Sequence, residues 1–331
     1  QKQVHLDLAY FFIEADAEAS CVLRRELNAR GYGALFDESV FLANARFQDR
    51  APGIIDFVRK RSQRAARAIF LLDQYGYSEV PTGLIRTILA SLPGTEIILT
   101  FAVDSFLNYA SDSPVTRKLL DRVGLPELLR GRSIDELKRS DRLWRLFIQS
   151  CLYKDLVGAC GSTFYTPFFI RSAKGHGDYW LIHLSQHHRA RDVMTRIHWE
   201  KNNYFIHYGD AGLDMFHMLG YVPKYDNAYT GQGELDFCFD DPARQKSIGA
   251  LKDQIPHLIY AHLDGISFGE LFARTCNDSP ASAEIYREAV GALLQERDVE
   301  VVSPDGVVRR SAAQIHDKDQ IIPPRQRKLF V

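Results

Sequence analysis

Over the first 109 positions, apolar residues fall into two alternating rhythms: short unbroken runs, and stripes at helical spacing. Leu8 to Ile13, Val40 to Ala43, Ala68 to Leu72 and Ile97 to Phe101 are strand-sized runs. Between them, Ala19, Val22, Leu23 and Leu27 share one helical face, and Ile54, Ile55 and Val58 share another. A third helix is predicted from about Ser78 to Leu92. Apolar strands alternating with amphipathic helices predict a parallel sheet with helices on its faces. Asp16 is placed to cap the first helix and Gly31 to close it, and Pro52 is read in the first turn of the second.

The rhythm then changes. Residues 111–160 are charged, Leu-rich and helical (Arg117 to Leu129, Ile134 to Lys138, Arg142 to Leu156), which predicts an insertion or cap on the sheet. A hairpin follows, with strands Tyr165 to Ile170 and Tyr179 to Leu184 about Lys174-Gly175-His176-Gly177-Asp178. No helix follows that Gly-x-Gly, so it reads as a turn and not as a phosphate loop. Helical period returns from Arg189 to Glu200. From about Asp241 two helices, Ile266 to Cys276 and Ala281 to Arg297, precede Val299 to Val302, the turn Ser303 to Gly306, and Val307 to Arg310. Helix, helix and a basic-edged hairpin are the ingredients of a winged helix. The chain therefore divides into an α/β domain, 1–240, and a winged-helix-like unit, 241–331, ending in the basic tail Pro323 to Lys328. Arg309, Arg310 and the tail are candidate phosphate contacts, against the alternative of an ordinary solvated hairpin and tail.

Composition narrows the classes. With 41 basic and 42 acidic residues the net charge is −1, so no global field advertises nucleic acid, and only local patches can. The five cysteines are scattered with no Cys-x-x-Cys pair, which argues against a zinc site or a disulfide framework and for a reducing, cytoplasmic setting. No apolar run reaches membrane-spanning length, and none reads as a signal peptide, so no membrane partner is expected. His183, His187 and His188 straddle a strand end without a His-Glu-x-x-His arrangement, so no metal is expected. His187, His188, Arg189 and Arg191 are read instead as a positive rim. The only methionines are Met194, Met215 and Met218, so no initiator is present and the true N-terminus is expected to be missing.

The chemistry sits at strand ends, where ligands bind in open α/β sheets. Glu14 ends the first strand, where a carboxylate can accept both hydroxyls of a ribose. The alternative is that Glu14 or Asp16 only caps the next helix. The second strand runs into Asn44-Ala45-Arg46-Phe47, and Phe47 is either a wall for an adenine ring or core. The third ends in Asp73-Gln74-Tyr75-Gly76. An exocyclic amino group on a nucleobase is a poor nucleophile, because its lone pair is delocalised into the ring. The Asp73 carboxylate and the Gln74 backbone carbonyl can accept its two N–H groups and stabilise the positive charge that grows on attack. Tyr75 can stack on an extruded base. The alternative is an Asp that caps a turn and a Tyr that packs.

This order of strand ends resembles a class I S-adenosylmethionine-dependent methyltransferase whose Gly-rich first strand has been cut off, a Rossmann-like sheet with a helical insertion. Within that class the chain resembles the three-Cys-motif partner proteins. The resemblance is carried by Phe12-Ile13-Glu14-Ala15-Asp16, by Phe70 to Gly76, by Tyr179-Trp180-Leu181-Ile182-His183-Leu184-Ser185, by Arg191-Asp192-Val193-Met194 and by Pro323-Pro324-Arg325-Gln326-Arg327. It implies a bacterial or phage protein with S-adenosylmethionine held at Glu14, Asp16, Phe47 and Asp73, and with DNA or RNA as substrate. It also implies a partner bearing the cysteine motif that looks like a radical enzyme. Two departures stand out: Gln74 occupies a position where the family tends to proline, which predicts a loss of rigidity, and the aromatic is third where amino-methylating enzymes usually place it fourth. The competing expectation is a non-catalytic adaptor that brings such a partner to nucleic acid.

Overall fold

The computed structural model describes residues 7–61, 67–74, 78–126, 131–140, 144–171, 178–201, 211–213, 215, 239–262 and 264–324. The readings at Tyr75 and Gly76, in the tail from Arg325 onward and in the turn at 174–177 lie outside them. The apolar runs are strands: β1 (Tyr10–Glu14), β2 (Val40–Asn44), β3 (Ala68–Leu72) and β4 (Thr95–Phe101). Helices α1 (Ala17–Ala29), α2 (Phe47–Arg61) and α3 (Thr82–Ser91) connect them in turn. Asp16 caps α1 as read, its carboxylate accepting from Ala19 N at 2.7 Å. Helix α2 starts earlier than Pro52 suggested. The proline lies in its second turn, where its missing N–H withdraws one bond from a carbonyl near the helix start.

The four strands do not make one sheet among the described residues. β1 and β2 pair in parallel, from Tyr10 opposite Val40 to Glu14 opposite Asn44. β3 and β4 pair in parallel in a second sheet, which is completed by the hairpin β5 (Phe164–Arg171) and β6 (Asp178–Ser185). There β6 runs antiparallel to both β4 and β5, and the order is β3-β4-β6-β5. Helix α2 spans the two sheets on one face. Phe57 meets Phe11 of β1 edge-on at 5.0 Å, and Phe47 meets Phe70 of β3 edge-on at 6.1 Å. The wholly apolar run Ala68 to Leu72 is buried on this face alone: Phe70 and Leu72 point in, while Ile69 and Leu71 are 73% and 66% exposed.

The short helix α4 (Val103–Tyr109) follows β4, and the insertion forms α5 (Pro114–Val123), α6 (Ile134–Ser140) and α7 (Trp144–Cys160). It is less a cap than a core layer. Ile148, Leu152, Tyr153 and Leu156 of α7 are fully buried, and Tyr153 meets Trp180 of β6 edge-on at 5.6 Å while Phe101 stacks on the same indole. Helix α8 (His188–Glu200) leaves the hairpin, and its inward face is polar: Arg191, Thr195 and His198 are its buried residues.

The C-terminal unit opens with a helix that the apolar pattern did not disclose, α9 (Asp241–Tyr260), which tolerates Pro256 near its end. The helix read from Ile266 begins instead as the short strand β7 (Ile266–Ser267). Ser267 then caps α10 (Phe268–Thr275), and Ser282 caps α11 (Ala283–Glu296). Strands β8 (Glu300–Val302) and β9 (Gln320–Ile322) join β7 in an antiparallel sheet of order β7-β9-β8. The wing is a tight hairpin in which Arg309 N donates to Val301 O and Ser303 N to Val307 O. Gly306 supplies the left-handed φ of 82° that its turn needs. A second core of Leu251, Ile255, Phe268, Phe272 and Tyr286 holds the unit together. No helix among the described residues is long and apolar enough to cross a membrane.

Candidate functional site

The carboxyl ends of β1 and β2 lie side by side, Glu14 opposite Asn44, and the start of α2 is tied to the segment after β3. Gln48, at the start of α2, donates to the Glu79 carbonyl in the loop after β3 at 2.5 Å. Asn44 at the end of β2 donates to the carbonyls of Glu14 and Ala15 at 2.9 and 3.1 Å, fixing the turn that carries Glu14. One Glu14 oxygen accepts from Asp16 N at 2.9 Å, and the other has no bonded partner among the described residues. Asp16 spends its carboxylate on the α1 cap. Phe47 is half-buried and meets Phe70 edge-on, packed against the core.

Gln74, just past the end of β3, ties that strand to β4 and to residues 79–80. Gln74 is buried and makes four bonds: N to Thr100 Oγ1 at 2.9 Å, Nε2 to Thr100 O at 2.9 Å, and Oε1 from Glu79 N and Val80 N at 3.0 and 3.1 Å. The side chain thus links the end of β4 to the backbone N–H groups of Glu79 and Val80. The Thr100 hydroxyl has one proton to give, and its nearest acceptor is Asp73 Oδ1 at 3.0 Å. The Gln74 N–H therefore feeds a hydroxyl that orients the Asp73 carboxylate, leaving Oδ2 facing outward on an exposed residue. Thr100 escaped the sequence reading. Its one signal is being the polar residue inside the run Ile97 to Phe101.

The predicted cations have different fates. His187 caps α8, its Nδ1 accepting from Arg189 N at 3.1 Å, and stacks on His188 at 4.5 Å. Burial, then the neighbouring His187, lowers the His188 pKa below the ordinary imidazole value. Arg189 is exposed and pairs with Asp317 at 3.2 Å. Arg191 is not on any rim: it is 1% exposed, and its two terminal nitrogens donate to the carbonyls of Ala281 and Ser279 in the turn before α11. Arg309 chelates the buried Asp319 at 2.8 and 3.1 Å, so its charge is spent inside the wing. Burial alone would raise the Asp319 pKa; the Arg309 bonds and the His316 N–H outweigh it and hold the pKa below the usual carboxylate value. Arg310 is exposed at the open base of the hairpin, away from the turn at Ser303 to Gly306, and its backbone N–H donates to Gln314.

Helix α11 occupies the place of a groove-reading helix, yet it carries Glu284, Glu288 and Glu296 against one cation, Arg287. Arg244 pairs with Glu284 and Glu288, Lys252 with Glu296, and Arg287 with Asp317. Its N-terminus is closed too, since Ala283 N donates to Asp192 Oδ1 at 2.7 Å. The same turn is gripped again where Trp199 Nε1 donates to the Pro280 carbonyl at 2.9 Å.

Residues 224–306 match a family model described as the GMT-like wHTH domain. No curated protein matches the chain. The match covers the stretch that folds as α9 through the wing turn, in agreement with the hairpin and capped helices described above. The chain is therefore a mixed α/β protein that carries a winged helix-turn-helix domain toward its C-terminal end.

Proposed function

We propose that this protein is a methyltransferase-like enzyme of nucleic acid, with S-adenosylmethionine as cofactor and a base amino group as acceptor. The observation that carries the reading is the Gln74–Thr100–Asp73 relay, which presents an oriented carboxylate just past the end of β3. Glu14 and Asp73 each keep one carboxylate oxygen clear of bonded partners among the described residues, which suits a ribose diol and an exocyclic N–H respectively. The cofactor, when bound, supplies the sulfonium methyl. Asp73 then holds the acceptor nitrogen and stabilises the charge growing on it, and the Gln74 backbone carbonyl takes the second N–H. Calorimetry of S-adenosylmethionine against wild type, Glu14→Ala and Asp73→Ala tests this. Heat with wild type is expected, with Glu14→Ala weakening binding about tenfold through loss of a charge-assisted bond. A folded wild type that gives no heat ends the cofactor reading.

A second reading is an adaptor, and the winged-helix match favours it. Here the chain brings a partner, such as a protein bearing three-Cys motifs, to nucleic acid without chemistry at Asp73. With α11 acidic and closed, the residue suited to phosphate is the exposed Arg310 at the base of the wing. Binding to duplex DNA or structured RNA should fall several-fold in Arg310→Glu and lose about one unit of salt slope, while Asp73→Ala leaves it unchanged. Binding that ignores Arg310 would remove the wing from the interface.

A further inference from the structure

A small cavity of about 10 Å³ lies where the α/β domain meets the winged-helix turn. Its walls include Thr166 and Pro167 of β5, Arg191 and Thr195 of α8, Pro280 of the turn, and Phe239. Three polar atoms on residues of this wall have no hydrogen-bond partner among the described residues: Arg191 Nε, Thr166 Oγ1 and Thr195 Oγ1. All three residues are buried, at 1%, 5% and 1% exposure. The Arg191 guanidinium is bonded to carbonyls, which carry no formal charge. The adjacent carboxylate, Asp192, turns away to Ala283 N and to Arg196 at 3.6 Å. Among the described residues, then, a cation has been taken out of water with no anion bonded to it, an arrangement that is costly unless a counter-charge is supplied.

We infer that this cavity is a site for one small monovalent anion of halide size, held by the Arg191 Nε–H and the hydroxyls of Thr166 and Thr195. Such an ion accepts three hydrogen bonds at once and brings a counter-charge to the Arg191 guanidinium. The volume admits the centre of a single guest of water or ion size. A water molecule would satisfy the three groups but bring no charge to the buried cation, which is why the anion is preferred. The ion would sit behind the Arg191 grip on the turn and strengthen the join between the two units.

The test uses the full chain and chloride or bromide as the probe. Crystals grown in bromide should show an anomalous peak within hydrogen-bonding reach of Arg191 Nε and both threonine oxygens. Density there without anomalous signal identifies water and overturns the inference. In solution, raising chloride tenfold against gluconate at constant ionic strength should raise Tm by about 2 °C. Thr195→Val, which keeps the shape and removes one donor, should melt near wild type in gluconate and lose the chloride response. A wild-type Tm indifferent to chloride, or a variant that responds as strongly as wild type, overturns the site.

Discussion

Arg191→Ala should destabilise the protein by about 4 kcal/mol, read as a loss of urea midpoint or a fall in Tm of roughly 5–10 °C. The substitution leaves the carbonyls of Ala281 and Ser279 buried without donors and opens a void beside Thr195. Each orphaned carbonyl costs about 1–3 kcal/mol, and the void adds to that. Arg191→Lys should recover little, because one ammonium on a flexible stem does not reproduce a planar fork that reaches two carbonyls. The α/β core, built around Trp180, Phe101 and Ile148, does not contain Arg191, so loss of the winged-helix unit first would be visible as a split transition. A stability change below about 1 kcal/mol would show that the turn is held by Asp192 and Trp199 alone.

Between pH 7 and pH 5 the protein should lose about 2 kcal/mol of stability through His198. Burial, with help from the Arg191 charge and from His183, lowers the His198 pKa to about 4. The ring is stacked on Phe168 at 4.8 Å and on Phe239 at 5.7 Å, surroundings that offer a proton's charge little solvation. The unfolded chain takes up the proton near pH 6.5, while the folded chain resists it until about 4. The contribution from keeping the ring neutral is therefore complete above about 6.5 and is lost as the pH falls toward 4. His198→Phe, which preserves the stacking, should flatten the slope between pH 7 and 5 in chemical unfolding measured at several pH values. An unchanged slope would place the acid sensitivity elsewhere.

The strands were legible because short apolar runs have few other fates, and β1 through β6 lie within a residue or two of those runs. Which strands pair was not, because pairing is non-local: nothing in Ala68 to Leu72 says that β3 joins β4 in one sheet while β1 joins β2 in another. Asp73 and Glu14 were found at their strand ends, whereas Thr100 was hidden because its role depends on a loop 26 residues earlier in the chain. Arg191 was misread for a related reason. Sequence periodicity searches for apolar stripes, and α8 buries a polar one, Arg191, Thr195 and His198, at ordinary helical spacing. Helix α9 escaped because its two prolines, at positions 242 and 256, mimic chain breaks.

The grip of Arg191, Asp192 and Trp199 on the turn before α11 has a mechanical corollary. A winged helix on a free tether samples many distances from the rest of its chain, whereas one fastened at its turn acts as a ruler. On the enzymatic reading proposed above, a nucleic acid held at Arg310 would be presented to Asp73 at a single setting. Target choice would then be governed by the spacing between an anchoring stretch and a reacting position, and lengthening that spacing would silence a target without altering either end.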